Sequence, residues 1–441
     1  MLVPVGFCLL HLSVMDYADA IRRLESLIDY EKTPAAAAAA RVWNLDRIAY
    51  MLSAVSNPHL GVRFLHIAGT RGKGSTAAVT ASILISAGYR TGLYTSPHLQ
   101  TFRERIRIDG RMISENELAS LIEEAQPIIE EMSRSEIGAP SFFDVYTFLG
   151  LMHFARNKVD FAVLEPGLGG RLDATNVVTP IACAITRMGM DHTEELGDTL
   201  AQIAGEKAGI IKPGVHVVTS EQPAEAMEVI ERVCRERGCQ LVRAPKVEIL
   251  AADEYGQKLR IECLELESRL LGAHQAENIA VAIGLIGLIR QIGDIVPDDA
   301  ATGGVKSVRW HGRFEIVRRH PHVILDGAHD ETGAKALAAT MRSLFPGQRV
   351  ILVFGMMRGH DAEAVASQLR PLADKIFVTA ASSPRAVDPS AIQRIMGGEI
   401  RIPISKAVEE AIGKAGEEDI VLITGSLYIV GEAMTALGIS A

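Results

Sequence analysis

His66-Ile67-Ala68-Gly69-Thr70-Arg71-Gly72-Lys73-Gly74-Ser75-Thr76 is the stretch on which the reading of the whole chain turns. The apolar run at 62–68 predicts a buried strand. Residues 74–87 carry helical periodicity, and Gly88 stands where a helix stops. A glycine-rich turn between a strand and a helix lets backbone N–H groups converge. The helix N-terminus adds positive partial charge and Lys73 adds a full one, which together suit a chain of phosphates. The candidate phosphate contacts are Gly69, Thr70, Gly72, Lys73, Gly74, Ser75 and Thr76. The strict Gly-x4-Gly-Lys-Ser/Thr spacing is not met, because Ile67 stands five residues before Gly72 and Gly74 separates Lys73 from Ser75. Taken alone, the stretch also reads as a plain strand–helix turn.

Outward from this loop the same alternation repeats. Short apolar runs at 90–95, 159–165, 181–186 and 215–219 predict strands, with helical patterns at 142–156 and 199–209. Residues 103–109 alternate, and Ser114 with Glu117 forms a capping box before a helix reaching about residue 132. A second series has strands at 323–326, 350–355, 375–379 and 419–425, and helices at 332–344, 361–373, 404–415 and 426–438. The expected class is α/β: a large, mostly parallel-sheet P-loop ATPase domain followed by a smaller Rossmann-like domain. The Gly-, Asp- and Ala-rich stretch 293–307 reads as the linker. The domains are set at 1–300 and 301–441, with the chain crossing near 308. Residues 16–30 and 43–55 read as helices, with the alanine run 35–40 between them. Residues 1–14 read as a start-site extension ahead of Met15, since no basic segment or small-residue cleavage site marks a signal peptide.

Composition limits the function. The chain has 441 residues, 48% of them hydrophobic, and a net charge of −9, which excludes a protein built to coat nucleic acid. No apolar run reaches the ~18 residues that span a bilayer. Five cysteines without a CxxC pair read as reduced thiols in the cytoplasm.

Chemistry-bearing residues fall at predicted strand ends. Glu165 closes one strand ahead of the turn 167–170, Ser96 follows another and His192 follows a third. Open α/β sheets place ligands at such edges. A carboxylate, a hydroxyl and an imidazole form a possible Mg²⁺ set, although Mg²⁺ prefers oxygen. Each residue also has a plainer reading, as a salt-bridge acid, a pre-proline turn serine or a structural histidine.

The loop pattern Gly-Thr-x-Gly-Lys-Gly-Ser resembles the ATP loop of the Mur ligase superfamily. The resemblance narrows to the folylpolyglutamate synthase and dihydrofolate synthase family through further segments in family order. They are Tyr94-Thr95-Ser96-Pro97-His98-Leu99, Ser141-Phe142-Phe143-Asp144, and Glu165-Pro166-Gly167-Leu168-Gly169-Gly170-Arg171-Leu172-Asp173-Ala174-Thr175-Asn176. Then come Asp191-His192, Glu206-Lys207-Ala208-Gly209, His274-Gln275 with Asn278, Gly312-Arg313-Phe314-Glu315, Asp326-Gly327-Ala328-His329 and Thr424-Gly425-Ser426. The resemblance implies an ATP-dependent ligase that adds L-glutamate to dihydropteroate, to folates or to both through an acyl phosphate. It implies Lys73, Glu165, His192 and Lys207 as catalytic residues. The loop, Asn278, Arg313, Asp326 and His329 become ATP contacts, and Ser96, Glu165 and His192 become Mg²⁺ ligands. Phe142, Phe143, Asp144, Leu172 and Asp173 become folate contacts. It further implies two Mg²⁺, carbamylation of Lys207, small-molecule partners only, and a monomer. Without the resemblance, the phenylalanine pair reads as core and Lys207 as a paired or snorkelling lysine.

Five positions depart from the family pattern: Arg71 and Asp330 stand where Asn is usual, Pro166 where Val is, Asp144 where Glu is, and His311 where Pro is. Two other readings remain. A murein peptide ligase would carry a sugar-nucleotide domain before the loop, whereas 65 mostly helical residues precede His66 here. A nucleotide-binding module without catalysis would tolerate the departures but has no need of Lys73, Glu165 and Lys207 together.

Overall fold

The computed structural model describes residues 15–27 and 44–441. The expected start-site extension and the alanine run lie outside the described residues.

Two β-sheets build the two lobes. The first lobe contains β1 (Arg63–Ala68), β2 (Thr91–Tyr94), β3 (Ile106–Ile108), β4 (Arg111–Met112), β5 (Phe161–Leu164), β6 (Pro180–Ile185), β7 (His216–Thr219) and β8 (Leu241–Arg243). They lie in the order β4-β3-β2-β5-β1-β6-β7-β8, parallel except where β3 pairs with β2 and β4. Alternate side chains explain why the strands read as continuous apolar runs. Leu65, Ile67 and Val163 enter one core, while Phe64, Ala162 and Leu164 enter the other. A parallel sheet covered on both faces needs apolar residues at both parities. The helices Lys73–Ser86 and Ala273–Gln291 cover the first face, and Glu115–Ser133 and Phe142–Arg156 cover the second.

β1 lies between β5 and β6 rather than beside β2. Loops leaving these strands therefore diverge at the carboxyl edge and open a crevice there. The expected strands and helices from residue 43 to 219 form, with ends shifted by up to three residues, while the helix expected over 16–30 runs Tyr17–Glu25 and residues 28–30 lie outside the described residues.

The chain from 220 to 291, for which the sequence reading assigns no strand or helix, folds into the helix Ala224–Glu236, β8, and a three-stranded antiparallel sheet. That sheet contains β9 (Val247–Asp253), β10 (Gly256–Ile261) and β11 (Leu264–Ser268), and the helix Ala273–Gln291 follows. β9 is exposed along nearly its whole length, although it carries the apolar run Ile249-Leu250-Ala251-Ala252. β10 buries only Gln257, Leu259 and Ile261.

The stretch 293–307, expected to be a linker, contains the helix Asp298–Ser307. Its composition has a packing reason: Ala300, Ala301 and Gly304 let it approach the helix Lys73–Ser86 so closely that a Cβ on Gly304 would strike the Ile83 backbone. Ser82 Oγ donates to Gly304 O at 2.8 Å, fixing the contact. The chain crosses to the second lobe after this helix.

The second lobe holds β12 (Glu315–Arg319), β13 (His322–Leu325), β14 (Val350–Phe354), β15 (Lys375–Val378), β16 (Glu399–Ile400) and β17 (Ile420–Thr424). Their order is β12-β13-β17-β14-β15-β16, parallel except for the β12–β13 hairpin. The lobes touch where the Leu99 backbone abuts Gly431. Any side chain at Gly431 would collide with it. Gln100 adds hydrogen bonds to Thr435 Oγ1 and Ile439 O, both 2.9 Å.

Candidate functional site

The loop after β1 takes a conformation that glycine makes possible. Gly72 has φ +85° and directly precedes the helix Lys73–Ser86. A side chain there would be strained and would strike Asn278 Oδ1. The N–H groups of Thr70 and Arg71 both donate to Arg187 O at 3.1 Å, tying the loop to the end of β6. Thr70 Oγ1 exchanges hydrogen bonds with Gly189. The free N–H groups at the start of the following helix, with Lys73 beside them, form a cradle for anions.

Glu165 is 5% exposed and follows β5. A methyl group on Gly74 would lie 3.1 Å from Glu165 Oε2 and 3.3 Å from the Trp310 ring. The Ser96 N–H points to Glu165 Oε2 at 3.4 Å. Burial raises the Glu165 pKa, and Lys73 and Arg313 pull it back down. Ser96, Glu165, Gly74, Trp310 and Arg313 line one cleft of about 280 Å³ between the lobes. Lys73, one residue before Gly74, acts on this buried carboxylate from the phosphate loop.

Lys207 sits one residue from the end of the helix Leu200–Ala208, where the glycine turn 167–170 lets the helix close in. A side chain on Gly170 would meet Glu206 O and Lys207 O at 2.9 Å. Lys207 is 2% exposed, and burial first, then Lys73, lowers its pKa to about 7, while Asp191 and Asp173 oppose the shift. His192 adopts φ +49° next to Asp191 and presents an exposed ring. Its nitrogens lie 3.7 Å from Asp191 and 3.8 Å from Glu195.

The expected folate residues separate. Phe142 is 1% exposed and stacks on Tyr146 at 5.5 Å, inside the core. Asp144 accepts from the Ser141 N–H and Oγ and completes a capping box. Both side chains are held in these contacts within the first lobe. Phe143, by contrast, is half-buried with its ring over Gly167, where any side chain would clash at 2.6 Å. Asp173 is buried and accepts from Leu168 N, Thr175 N and Thr175 Oγ1. Its pKa rises to about 6 because burial outweighs these bonds. Leu172 beside it is half-buried.

On the second lobe, Asp326 accepts from Phe314 N and Ala328 N at 2.8 Å, pinning the strand end that carries Arg313. His329 bonds Gly327 O through Nδ1 and stacks near His360 at 4.7 Å. Asn278 holds Gln275 at 3.1 Å and flanks Gly72.

Two of the family departures answer each other. Arg71 Nη2 donates to Asp330 Oδ1 at 2.9 Å and its Nε donates at 3.2 Å, so an ion pair crosses from the phosphate loop to the second lobe. Asp330 also caps the helix Glu331–Leu344 through Gly333 N. Arg71 offsets the burial of Asp330 and leaves its pKa below the usual value. The pair is about a quarter exposed on each side, so a double-mutant cycle with R71N and D330N should return a coupling of roughly 0.5–1 kcal/mol. The cycle is read by thermal unfolding in low and high salt. Additive single variants would show that the charges do not couple. His311 pairs with Glu315 at 2.8 Å. Trp310, missed in sequence, was marked only by its place next to the segment His311-Gly312-Arg313.

A phosphate-cradling lobe and a second α/β lobe, meeting over a buried carboxylate, define the class of two-lobed Mur-type ligases. Residues 67–286 match the Mur ligase middle domain, and residues 312–427 match the Mur ligase glutamate ligase domain. The dihydrofolate synthase/folylpolyglutamate synthase of Bacillus subtilis is 36% identical over 88% of this chain and 93% of its own. The Mycobacterium tuberculosis folylpolyglutamate synthase structure with ADP superposes with TM-score 0.86 at 30% identity, covering 96% of this chain and 98% of that one. E. coli FolC, solved with DHPP and ADP, gives TM-score 0.81 at 28% identity, with 96% and 98% covered. The chain belongs to the dihydrofolate synthase/folylpolyglutamate synthase family. It is an ATP-dependent ligase.

Proposed function

We propose that this enzyme joins L-glutamate to the carboxyl group of dihydropteroate and of folates. The carrying observation is the interlobe cleft on which Glu165, Arg313 and Gly74 of the phosphate loop converge, with Lys73 acting on Glu165 from the residue before Gly74. The acid's carboxylate oxygen takes the γ-phosphoryl group of ATP, and ADP leaves. The glutamate amine then attacks the acyl phosphate, an amide bond forms, and phosphate departs with its electron pair as the amine gives up a proton. Lys73 and the helix N-terminus hold the phosphates, and Arg313 approaches from the other lobe.

Glu165 and Ser96 are side by side, and Glu165 is a buried carboxylate whose desolvation a cation would offset, so these donors fit Mg²⁺ that keeps waters and phosphate oxygens. When bound, Mg²⁺ neutralises charge on the phosphates. His192, next to Asp191 and within electrostatic reach of Lys207 and Lys73, is the third donor in this reading. Phe143, Leu172 and Asp173 take the pterin, and Asn278, Asp326 and His329 serve the nucleotide side. The four described cysteines are unpaired, which supports the cytoplasm, and the enzyme is read as a monomer. The domains divide after the helix Asp298–Ser307, near the crossing at residue 308.

The test is ADP release that requires Mg²⁺, glutamate and a pterin acid together. A panel of dihydropteroate and tetrahydrofolate substrates giving no release would sink the reading.

Lys207 supports carbamylation, because its amine is half neutral near pH 7 and only a neutral amine adds CO₂. The N–C bond forms, a proton leaves, and a cation becomes an anion. Activity in CO₂-depleted buffer should fall, and bicarbonate should restore it faster at pH 8 than at pH 6. A rate indifferent to bicarbonate at both pH values would contradict the modification.

A further inference from the structure

The reaction proposed above leaves one proton without an acceptor. The glutamate amine attacks in its neutral form and must shed a proton as the C–N bond forms. The titratable side chains lining the interlobe cleft are Glu104, Arg107, Glu165, Arg309, His311 and Arg313. Arginine does not serve as a base. Glu104 is occupied, since it accepts the N–H groups of Leu99, Gln100 and Thr101. Glu165 belongs to the proposed cation donors. His311 remains, and imidazole is the side chain most often used to move protons in catalysis.

His311 is held as a base needs to be. Its Nδ1 lies 2.8 Å from Glu315 Oε1. Burial raises the Glu315 pKa, but the bond and charge of His311 and the Gly312 N–H outweigh it and keep it below the usual value. An ionised carboxylate only accepts, so Nδ1 carries the ring proton and Nε2 carries a lone pair. Nε2 has no hydrogen-bond partner among the described residues, and the side chain is about a quarter exposed. The turn around it is pinned twice. Glu315 Oε2 accepts the Gly312 N–H at 3.0 Å, and Asp326 Oδ2 accepts the Phe314 N–H at 2.8 Å. These bonds hold Phe314 at φ +47°, a conformation that a bulky side chain rarely adopts. Residues on both sides of His311 reach Glu165. The Trp310 ring and Glu165 Oε2 lie 3.3 and 3.1 Å from the point a methyl group on Gly74 would occupy, and Arg313 lowers the Glu165 pKa.

We propose that His311 is the general base of the amide-forming step, with Glu315 orienting its ring. The inference rests on the glutamate-ligase reading above and assigns the proton transfer within it. As the amine nitrogen bonds to the acyl carbon, Nε2 takes a proton from that nitrogen. The C–O bond to phosphate breaks, and phosphate leaves with the electron pair. The imidazolium then gives its proton to the departing phosphate, which restores the neutral ring. Glu315 stays ionised and stabilises the imidazolium in between. His311 is one of the five positions that depart from the family pattern, so the base belongs to this chain.

The variant H311N separates the roles. Asparagine keeps an N–H donor for Glu315 but has no nitrogen lone pair to take a proton. The assay follows ADP release by the Mg²⁺-loaded enzyme with ATP, a pterin acid and either glutamate or hydroxylamine. Hydroxylamine is neutral at neutral pH and captures an acyl phosphate without help from a base. At saturating glutamate, H311N is expected to turn over about tenfold or more slowly than wild type, with the glutamate KM within about twofold. With hydroxylamine the two proteins should agree within about twofold, which also shows that the variant folds and forms the acyl phosphate. Undiminished turnover with glutamate, or an equal loss with both nucleophiles, would overturn the role of His311. Wild-type protein that releases no ADP with either nucleophile would remove the ligase reading itself, and the base along with it.

Discussion

Lys73→Ala is expected to lower substrate-dependent ADP release by about 10²–10³-fold, while the unfolding temperature changes little. Lys73 is half-buried at the first helical position, and its amine reaches only Thr70 O at 3.4 Å, so its removal breaks no strong native contact. What it removes is the full charge in the phosphate cradle. Two neighbours respond with a definite sign. Lys73 lowers the Lys207 pKa, so in the variant Lys207 holds its proton more firmly and loses readiness for CO₂. Lys73 also lowers the Glu165 pKa, so Glu165 becomes harder to ionise. Steady-state kinetics with a nucleotide-binding measurement check the prediction. Wild-type turnover by a folded variant would remove Lys73 from the mechanism.

Glu165→Gln should abolish turnover by about 10²-fold or more and leave the fold as stable as before, or more so. Burial raises the Glu165 pKa in the folded state, and the cations Lys73 and Arg313 only partly compensate. A carboxylate whose folded pKa is raised takes up protons on folding between its unfolded and folded values. Its ionised form above the folded pKa is therefore a cost to stability. Glutamine keeps the volume and the contact with Ser96 and carries no charge to desolvate. Thermal unfolding at neutral pH should shift upward or not at all, and the difference from wild type should vanish as pH falls. A clearly destabilised variant would mean that the carboxylate stabilises the fold rather than serving the reaction.

Much of this molecule is legible locally. The strands of both sheets stand out because parallel strands buried on two faces must be apolar at every position. The helix after Gly72 and the caps at Ser114 and Ser141 follow from residues adjacent in sequence. What escaped the sequence depends on partners far along the chain. In the β9–β11 sheet, β10 and β11 alternate buried with exposed residues, but β9 is exposed at residues of both parities, so what pairs with it is set by the hairpin and not by its own pattern. The small residues of 298–307 look like a linker until the helix Lys73–Ser86 is placed against them. Phe142 and Phe143 are neighbours of one type, yet a helix turns them about 100° apart, one into the core and one over Gly167.

The sequence by itself determined the α/β class, the phosphate loop and the identity of the charged residues, because each is written in contiguous residues or short periods. The tertiary structure alone decided which charges meet. It set Arg71 against Asp330 across the lobes and placed Glu165 under Gly74 and Trp310. Long-range pairing of this kind is set by how the lobes pack, and nothing in the spacing of residues along the chain encodes it.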